Sequence, residues 1–545
     1  MKSSIADKIL MQHRLFSELS RMFGLEVPLY DKSLLVNQIC NRTVCDLLAI
    51  LHHGFTITDG QLERTSGERH GAIRIGKPEE YRWVTRFFAA FAMEPHNYYD
   101  MSNVGAKSQP ILATAFRACV NPEHRVFTSL LQTDYFDPET RQRIEALLAT
   151  RQVFTPRSME LIEQSEREGG LSWADAEALI REGADHIFKW KGTARDHQLY
   201  QDLCKAGFKI AADIACFESH HLNHLTPNTF CMDLYTAAMK YCLGELSQSQ
   251  WQSRAQLAMA HLCAAADGDF MCLHFKHLSH DQIDAFTPSA ATSSQIAGLI
   301  DALSIRLSQP DLKLAALKHA GFKDTTEGPP TDTPVLLRQD AYKALTEPVV
   351  FRNHDGTTID SVHTARFGEI EQRFYATTPS GRALYNSCLA DAETAVASNP
   401  GVAKSNFVAY QTIYAKPFSA FPKTLRELAQ QDLVYCRYSP TAKGLAAKGT
   451  LRTADIKQLI KDGFVRYEGL RYEDFLPVSA AGIFASNLNQ YGTKSTAASK
   501  PVYRQETLEA IMGKPIIDAD TAYREIQSLS LRETLRQLGL PDSHS

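Results

Sequence analysis

Residues Ala365 to Arg373 read A-R-F-G-E-I-E-Q-R, an apolar-acidic alternation with a period of two. Read as a strand, the stretch puts Phe367, Glu369, Glu371 and Arg373 on one face, because successive side chains of a strand point to opposite sides. Two carboxylates then project into whatever cavity the sheet lines, on a backbone rigid enough to fix their geometry before an ion arrives. The same pattern fits an edge strand with a solvated acidic face. What the rest of the chain brings to this strand therefore decides the reading.

Length and composition bound that reading. A chain of 545 residues with 44 % hydrophobic and 22 % charged residues has an ordinary globular composition and enough apolar mass for a large core. Its 58 Lys and Arg stand against 62 Asp and Glu, so there is no basic footprint for nucleic acid and no polybasic membrane anchor. The expected partner is a small molecule. The first 24 residues place Ile5, Ile9, Leu10, Leu15 and Phe16 among interleaved charges, which predicts an amphipathic helix and no secretory leader. Apolar runs such as Phe87 to Met93 are too short to span a bilayer. Eleven cysteines occur singly with no C-x-x-C pair, as expected of reduced core residues in a cytoplasmic protein. Neither a G-x-G-x-x-G fingerprint nor a phosphate-binding G-x-x-x-x-G-K-[ST] loop is present.

The chain reads as one catalytic domain over 1–545. Residues 1–62 form a helical scaffold around Leu34, Leu35, Leu47, Leu48 and Leu51. A metal-binding sheet with helical insertions occupies 63–376, and the C-terminal region 377–545 contributes a site segment at 472–484. R-H-G-A-I-R-I-G, Arg69 to Gly76, predicts a strand, followed by a helix from Pro78 to Met93. Arg125 to Gln132 predicts another strand, and 138–206 is helical by spacing with a break at Gly169-Gly170. The apolar run Phe208 to Phe217 predicts a third, buried strand that leads into E-S-H-H-L-N-H-L-T-P, Glu218 to Pro227. Residues 232–320 are again helical, Gly328-Pro329-Pro330 turns into Val335 to Arg338, and 378–470 alternates short helices and loops.

The chemistry-bearing residues are widely separated. His70 lies on the first strand, His220, His221 and His224 follow the apolar run Phe208 to Phe217, and Glu369 and Glu371 lie on the strand Ala365 to Arg373. Two imidazoles and one carboxylate from separate strands would form a facial triad, which leaves positions open on a metal. The residues alone do not choose among the three histidines or between the two glutamates. His220 and His224 are spaced i, i+4 as in zinc-binding helices, but the glutamate of H-E-x-x-H is missing and Pro227 follows closely. A histidine beside a strand is also commonly just hydrogen-bonded.

Four blocks carry a resemblance: R-H-G-A-I-R (69–74), N-H-L-T-P (223–227), T-A-R-F-G-E-I-E-Q-R (364–373) and Y-E-D-F-L-P-V-S-A-A-G-I-F (472–484). Together they resemble the 2-oxoadipate dioxygenase/decarboxylase family, the 2-hydroxyglutarate synthases, from near residue 1 to about 530. That family is similar to vicinal-oxygen-chelate enzymes such as hydroxymandelate synthase. The resemblance implies an α+β fold in which a vicinal-oxygen-chelate-like β-sheet, a half-barrel, surrounds Fe(II) within many helices. It implies His70, His224 and Glu369 as iron ligands, Arg74 as the clamp on a substrate carboxylate, and Val478 and Ser479 lining the site. F-G-E-I-E-Q-R is similar to the F-E-I-x-Q-R strand of hydroxyphenylpyruvate-handling oxygenases, where the first glutamate binds iron; Glu371 would then orient a ligand or pair with Arg373. Relative to shorter bacterial members, about 241–312 reads as an insertion. The implied reaction is oxidative decarboxylation of 2-oxoadipate by O2, with hydroxylation of the same molecule to 2-hydroxyglutarate.

His70 and Arg74 are four apart, about 13 Å between Cα atoms at roughly 3.3 Å per strand residue. An imidazole on metal at one end and a guanidinium at the other suit an extended dicarboxylate of about five or six carbons, gripped bidentately. Two other classes share these residues: a metal-dependent hydrolase or isomerase using zinc as a Lewis acid, and a non-catalytic binder of small acids.

Overall fold

The computed structural model describes residues 5–103, 108–119, 122–353, 355–476 and 503–541. Its centre is a five-stranded sheet in the order Glu94–Asp100, Ile111–Arg117, Arg125–Leu131, Glu68–Ile75, His224–Pro227. All its pairings are antiparallel except Glu68–Ile75 with Arg125–Leu131. That parallel pair needs a crossover. Part of it is the helix Pro78–Ala90, which starts with proline in its first turn and Glu79 and Glu80 at its positive end.

The strand Glu68–Ile75 sorts its side chains by parity. Ile73 and Ile75 enter one core with Leu47, Leu48, Phe87 and Phe88, while Ala72 faces a second core with Ala113, Phe127, Ile214 and Ala215. His70 and Arg74 share parity with Ala72, so both project to the second side. Every residue of Ile111–Arg117 and of Arg125–Leu131 is buried.

Glu369–Arg373 pairs antiparallel with Leu337–Ala341. This ladder joins the large sheet through one parallel bridge, Asn228 to Glu371, and the Thr229 N–H donates to the Glu371 carbonyl at 2.8 Å. At the end of the ladder, Gly368 leaves room for the Tyr342 ring: a Cβ there would fall 2.4 Å from Tyr342 Cε1. A three-stranded sheet is built from the hairpin Thr346–Arg352/Thr358–Thr364 with Thr193–Arg195, and the described residues form two further two-stranded ladders. The fold is α+β, with helices on both sides of open sheets.

The expected strand at 208–217 is a helix, Lys209–Cys216, buried from Ile210 onward. An unbroken apolar run carries no period that separates strand from buried helix, and Ala211, Ala212 and Ala215 favour the helix. The break at Gly169-Gly170 is real: Gly169 ends Pro156–Glu168 with φ +77° before Trp173–Glu182 begins. Within 378–470, read as short helices and loops, Cys436–Pro440 and Val465–Gly469 form a strand pair.

At the N-terminus, Lys8–Glu26 is helical behind Asp7, whose side chain accepts from Ile9 N and Leu10 N. Leu15 and Phe16 are buried, but Ile5, Ile9 and Leu10 are exposed. In the scaffold Leu47, Leu48 and Leu51 are core residues, while Leu34 and Leu35 pack at its margin. One helix among the described residues, Pro28–Leu51, is long and apolar enough to cross a membrane, and 56 % of its apolar window is buried within the fold. The eleven cysteines are all free thiols, and Cys119 is exposed rather than a core residue.

Candidate metal centre

Three strands bring His70, His224 and Glu369 together. Ala72 pairs with His224, Gly71 with Leu225 and His70 with Thr226, so two histidines distant in sequence lie one pleat apart on neighbouring strands. Gly71 makes this contact possible, since a Cβ there would sit 2.9 Å from Leu225 Cδ2 and 3.3 Å from the His224 carbonyl. Glu369 enters from the ladder docked beside the His224 strand, and Thr226 Oγ1 donates to its Oε2 at 2.9 Å.

The ligand atoms of His70, His224 and Glu369 all lie within 4.8 Å of one another, and all three residues are buried. His70 Nε2 and His224 Nε2 are each 3.2 Å from Glu369 Oε2. Bonds of about 2.1 Å at right angles put neighbouring ligand atoms about 3 Å apart, so the two separations from Glu369 match cis positions on an octahedral ion. The donors also need a partner: His224 Nδ1 and Nε2 and Glu369 Oε1 are buried without a hydrogen bond. Buried polar atoms are rarely left unmatched without a reason. The donor set fits a divalent metal ion.

Glu371 lies behind the triad. Its Oε2 is 2.7 Å from His70 Nδ1, and Arg373 donates Nε to Oε1 at 2.7 Å and Nη2 to Oε2 at 2.9 Å. A carboxylate at Nδ1 fixes the proton there and turns the Nε2 lone pair towards Glu369. Burial works against a charged His70, yet Glu371 and Glu369 outweigh it and raise its pKa above the usual 6.5. For His224 burial dominates and the pKa falls to about 4. Burial alone would raise Glu371, but Arg373 and His70 hold it well below the ordinary carboxylate range.

Aromatic rings seal the centre. Phe475 meets His70 edge-on with centroids 4.8 Å apart, and Phe367 stacks on His224 at 4.8 Å. Phe475 is held because Arg373 Nη1 donates to the carbonyls of Tyr472 and Asp474 at 3.0 and 2.7 Å. Val478 and Ser479 lie outside the described residues.

Arg74 is 8 % exposed and donates Nη1 to Asp213 Oδ2 at 2.6 Å. Asp213, on the helix Lys209–Cys216, also faces His221 Nε2 at 3.2 Å and His363 Nε2 at 3.1 Å. Burial would raise its pKa, but His221, His363 and Arg74 hold it well below the usual value. His221 thus belongs to the Arg74 cluster. His220 pairs with Glu80 at 3.1 Å, a carboxylate that also takes two bonds from Arg151, and has a structural role.

The sequence reading missed Asp213, which carries no motif and lay in the stretch read as a strand. It also missed Gln339, opposite Glu371 across the ladder, whose two amide atoms are buried without a partner. Asn223, beside His224, has the same unmatched amide. The cavities do not mark this centre: those of about 620, 410 and 150 Å³ include none of His70, His224 or Glu369. The donor set locates the chemistry, and volume does not.

The α+β fold thus carries a buried two-histidine, one-carboxylate group that could hold a metal ion. Residues 15–487 match the family described as 2-oxoadipate dioxygenase/decarboxylase. The 2-oxoadipate dioxygenase/decarboxylase of Pseudomonas putida is 36 % identical, over 96 % of this chain and 95 % of its own length. That of Escherichia coli is 32 % identical over 98 % and 99 %. A crystal structure of hydroxyglutarate synthase from Pseudomonas putida in complex with 2-oxoadipate has a TM-score of 0.68 at 32 % identity, covering 98 % of this chain and 99 % of that one. The chain belongs to the 2-oxoadipate dioxygenase/decarboxylase family.

Proposed function

We propose that this protein is an Fe(II)-dependent enzyme that converts 2-oxoadipate and O2 to 2-hydroxyglutarate and CO2, with His70, His224 and Glu369 as the iron ligands. The observation that carries the reading is the buried convergence of these three donors, one of them braced by Glu371. Two imidazoles and one carboxylate suit non-haem iron(II). The names of the relatives and the 2-oxoadipate complex of the Pseudomonas putida enzyme support the substrate. Iron(II) in this set supplies Lewis acidity towards the 2-oxo acid and the one-electron chemistry that reaction with O2 requires.

The chain's own groups prepare the substrate. Arg74, on the strand of His70, grips the far carboxylate, and Asp213 fixes the direction of its guanidinium. Phe475 and Phe367 exclude water from the imidazoles. Arg373 anchors the carbonyls of Tyr472 and Asp474 and so holds Phe475 beside the imidazoles. The bridge at Asn228 and Glu371 between the five-stranded sheet and the Glu369 ladder supports a vicinal-oxygen-chelate-like half-barrel around the metal. The absence of a basic footprint in the composition supports a small-molecule partner over nucleic acid, and eleven free thiols suit a cytoplasmic setting.

The test is anaerobic reconstitution with Fe(II), followed by oxygen-electrode assays on 2-oxo acids of graded length. Oxygen uptake that peaks with 2-oxoadipate supports the assignment. Tight zinc retention without oxygen uptake would replace it with a hydrolase or isomerase, and acid binding without turnover would leave a binding protein.

A further inference from the structure

Away from the metal centre, the helices Gly268–His274 and His280–Asp284 and the strand Val465–Gly469 contribute to the wall of a cavity of about 620 Å³. Three side chains on that wall form a line. Cys272 Sγ lies 3.5 Å from His280 Nδ1, and His280 Nε2 lies 3.2 Å from Glu468 Oε2. Cys272 is partly exposed, and the His280 and Glu468 side chains retain 27 % and 29 % of their accessible surface, so reagents can reach the group. A thiol, an imidazole and a carboxylate in this order are the parts of an activated nucleophile, in which the third group orients the second. The contact with Cys272, and then Glu468, pushes the His280 pKa up to about 10, so the ring is an imidazolium at neutral pH.

The same cavity holds donors that lack acceptors. Among the described residues lining it, Arg466 Nε and Arg471 Nη2 are buried without a hydrogen-bond partner. The Arg471 side chain is only 8 % exposed; Arg437 and Lys276 also line the cavity but are paired with Glu468 and with Glu123 and Glu473, so the unmatched guanidinium donors, and not an excess of cations, call for an anion. An unmatched guanidinium donor is costly, and an occupant that brings carboxylates relieves it.

We propose that Cys272 is a covalent modification site, activated by His280 and Glu468, that exchanges with a small carboxylate-bearing disulfide seated against Arg466 and Arg471. The Cys272 thiolate attacks one sulfur of the disulfide; a new S–S bond forms as the old one breaks. The departing sulfur leaves as a thiolate and takes the proton of the His280 imidazolium, with no net gain or loss of electrons. Exposed Cys119 lines the same cavity and is the internal control; burial, then Glu94, raises its thiol pKa.

The experiment treats the full-length, iron-loaded enzyme with glutathione disulfide and, separately, with the cationic disulfide cystamine, and reads each cysteine by peptide mass spectrometry. Cys272 should form the mixed disulfide ahead of Cys119, and about tenfold faster with glutathione disulfide than with cystamine. His280→Asn, or the milder Glu468→Gln, should slow Cys272 about tenfold and leave Cys119 unchanged, and Arg466→Ala should erase the preference for glutathione disulfide. Earlier labelling of Cys119, an unchanged Cys272 rate in both the His280 and Glu468 variants, or faster reaction with cystamine would each overturn the proposal.

Discussion

His70 Nδ1 lies 2.7 Å from Glu371 Oε2. The other ring nitrogen, Nε2, faces Glu369, so one imidazole is spanned by two carboxylates of a single strand. Their surroundings separate their roles. Glu369 keeps a buried oxygen without a hydrogen-bond partner, whereas both oxygens of Glu371 are taken by Arg373 and His70. Glu369→Gln should purify with little iron and show no oxygen uptake. Glu371→Gln should bind iron with an affinity or activity lower by about 10- to 100-fold. It should also unfold more easily, because Arg373 and Arg125 lose their shared anion in the interior. Metal analysis of the two variants checks the assignment; the reverse pattern would make Glu371 the ligand.

Arg74 and Asp213 form the second testable pair, 2.6 Å apart and both buried. Truncating one partner of such a contact costs roughly 2–5 kcal/mol. Arg74→Ala should retain iron and lose most turnover on dicarboxylic oxo acids. Asp213→Asn should leave iron content alone and raise KM more than it lowers kcat, because the guanidinium remains but is no longer aimed. Near-native activity of Arg74→Ala with 2-oxoadipate would refute the clamp.

Legibility of this site in the sequence followed the nature of each residue's signal. The strand around His70 and Arg74 was readable because β-branched Ile73 and Ile75 alternate with Ala72 and Arg74 ahead of a helix that starts at Pro78. Glu369 and Glu371 were readable as a pair on one face, but only the arginines around Glu371 and the unmatched oxygen of Glu369 distinguish the two. Asp213 was hidden because its helix is buried on all sides and shows no period. The hairpin Thr346–Arg352/Thr358–Thr364 was missed for the opposite reason: its strands alternate weakly, with Val362 exposed and Pro348 interrupting the apolar pattern. No local pattern announces that Asn228 will bridge Glu371, since that contact is set by how two sheets dock.

Stoichiometry follows from a substrate that is its own 2-oxo acid. Oxygen consumed, CO2 released and 2-hydroxyglutarate formed should be equal, with no 2-oxoglutarate added. Combined oxygen-electrode, CO2 and chromatographic measurements check this. A strict need for 2-oxoglutarate as a second substrate would exclude the proposed reaction.

His96 gives a prediction for acid stability. It lies on the edge strand Glu94–Asp100, 1 % exposed, with Nδ1 2.8 Å from the Glu94 carbonyl. Burial, and then Arg117, lowers its pKa from 6.5 to about 4. Between those values the unfolded chain binds a proton at this position that the folded chain refuses, so stability rises with pH across the window. The contribution is fully present above about pH 6.5 and is lost as pH falls towards 4. A displacement of this size corresponds to about 3 kcal/mol. His96→Gln removes the titration while keeping a side chain that can donate to the same carbonyl. In urea titrations of the metal-free proteins, the wild type should lose about 3 kcal/mol more than His96→Gln between pH 6.5 and 4, with parallel curves above pH 7. Parallel curves throughout the acid limb would mean that His96 is solvated before the fold gives way.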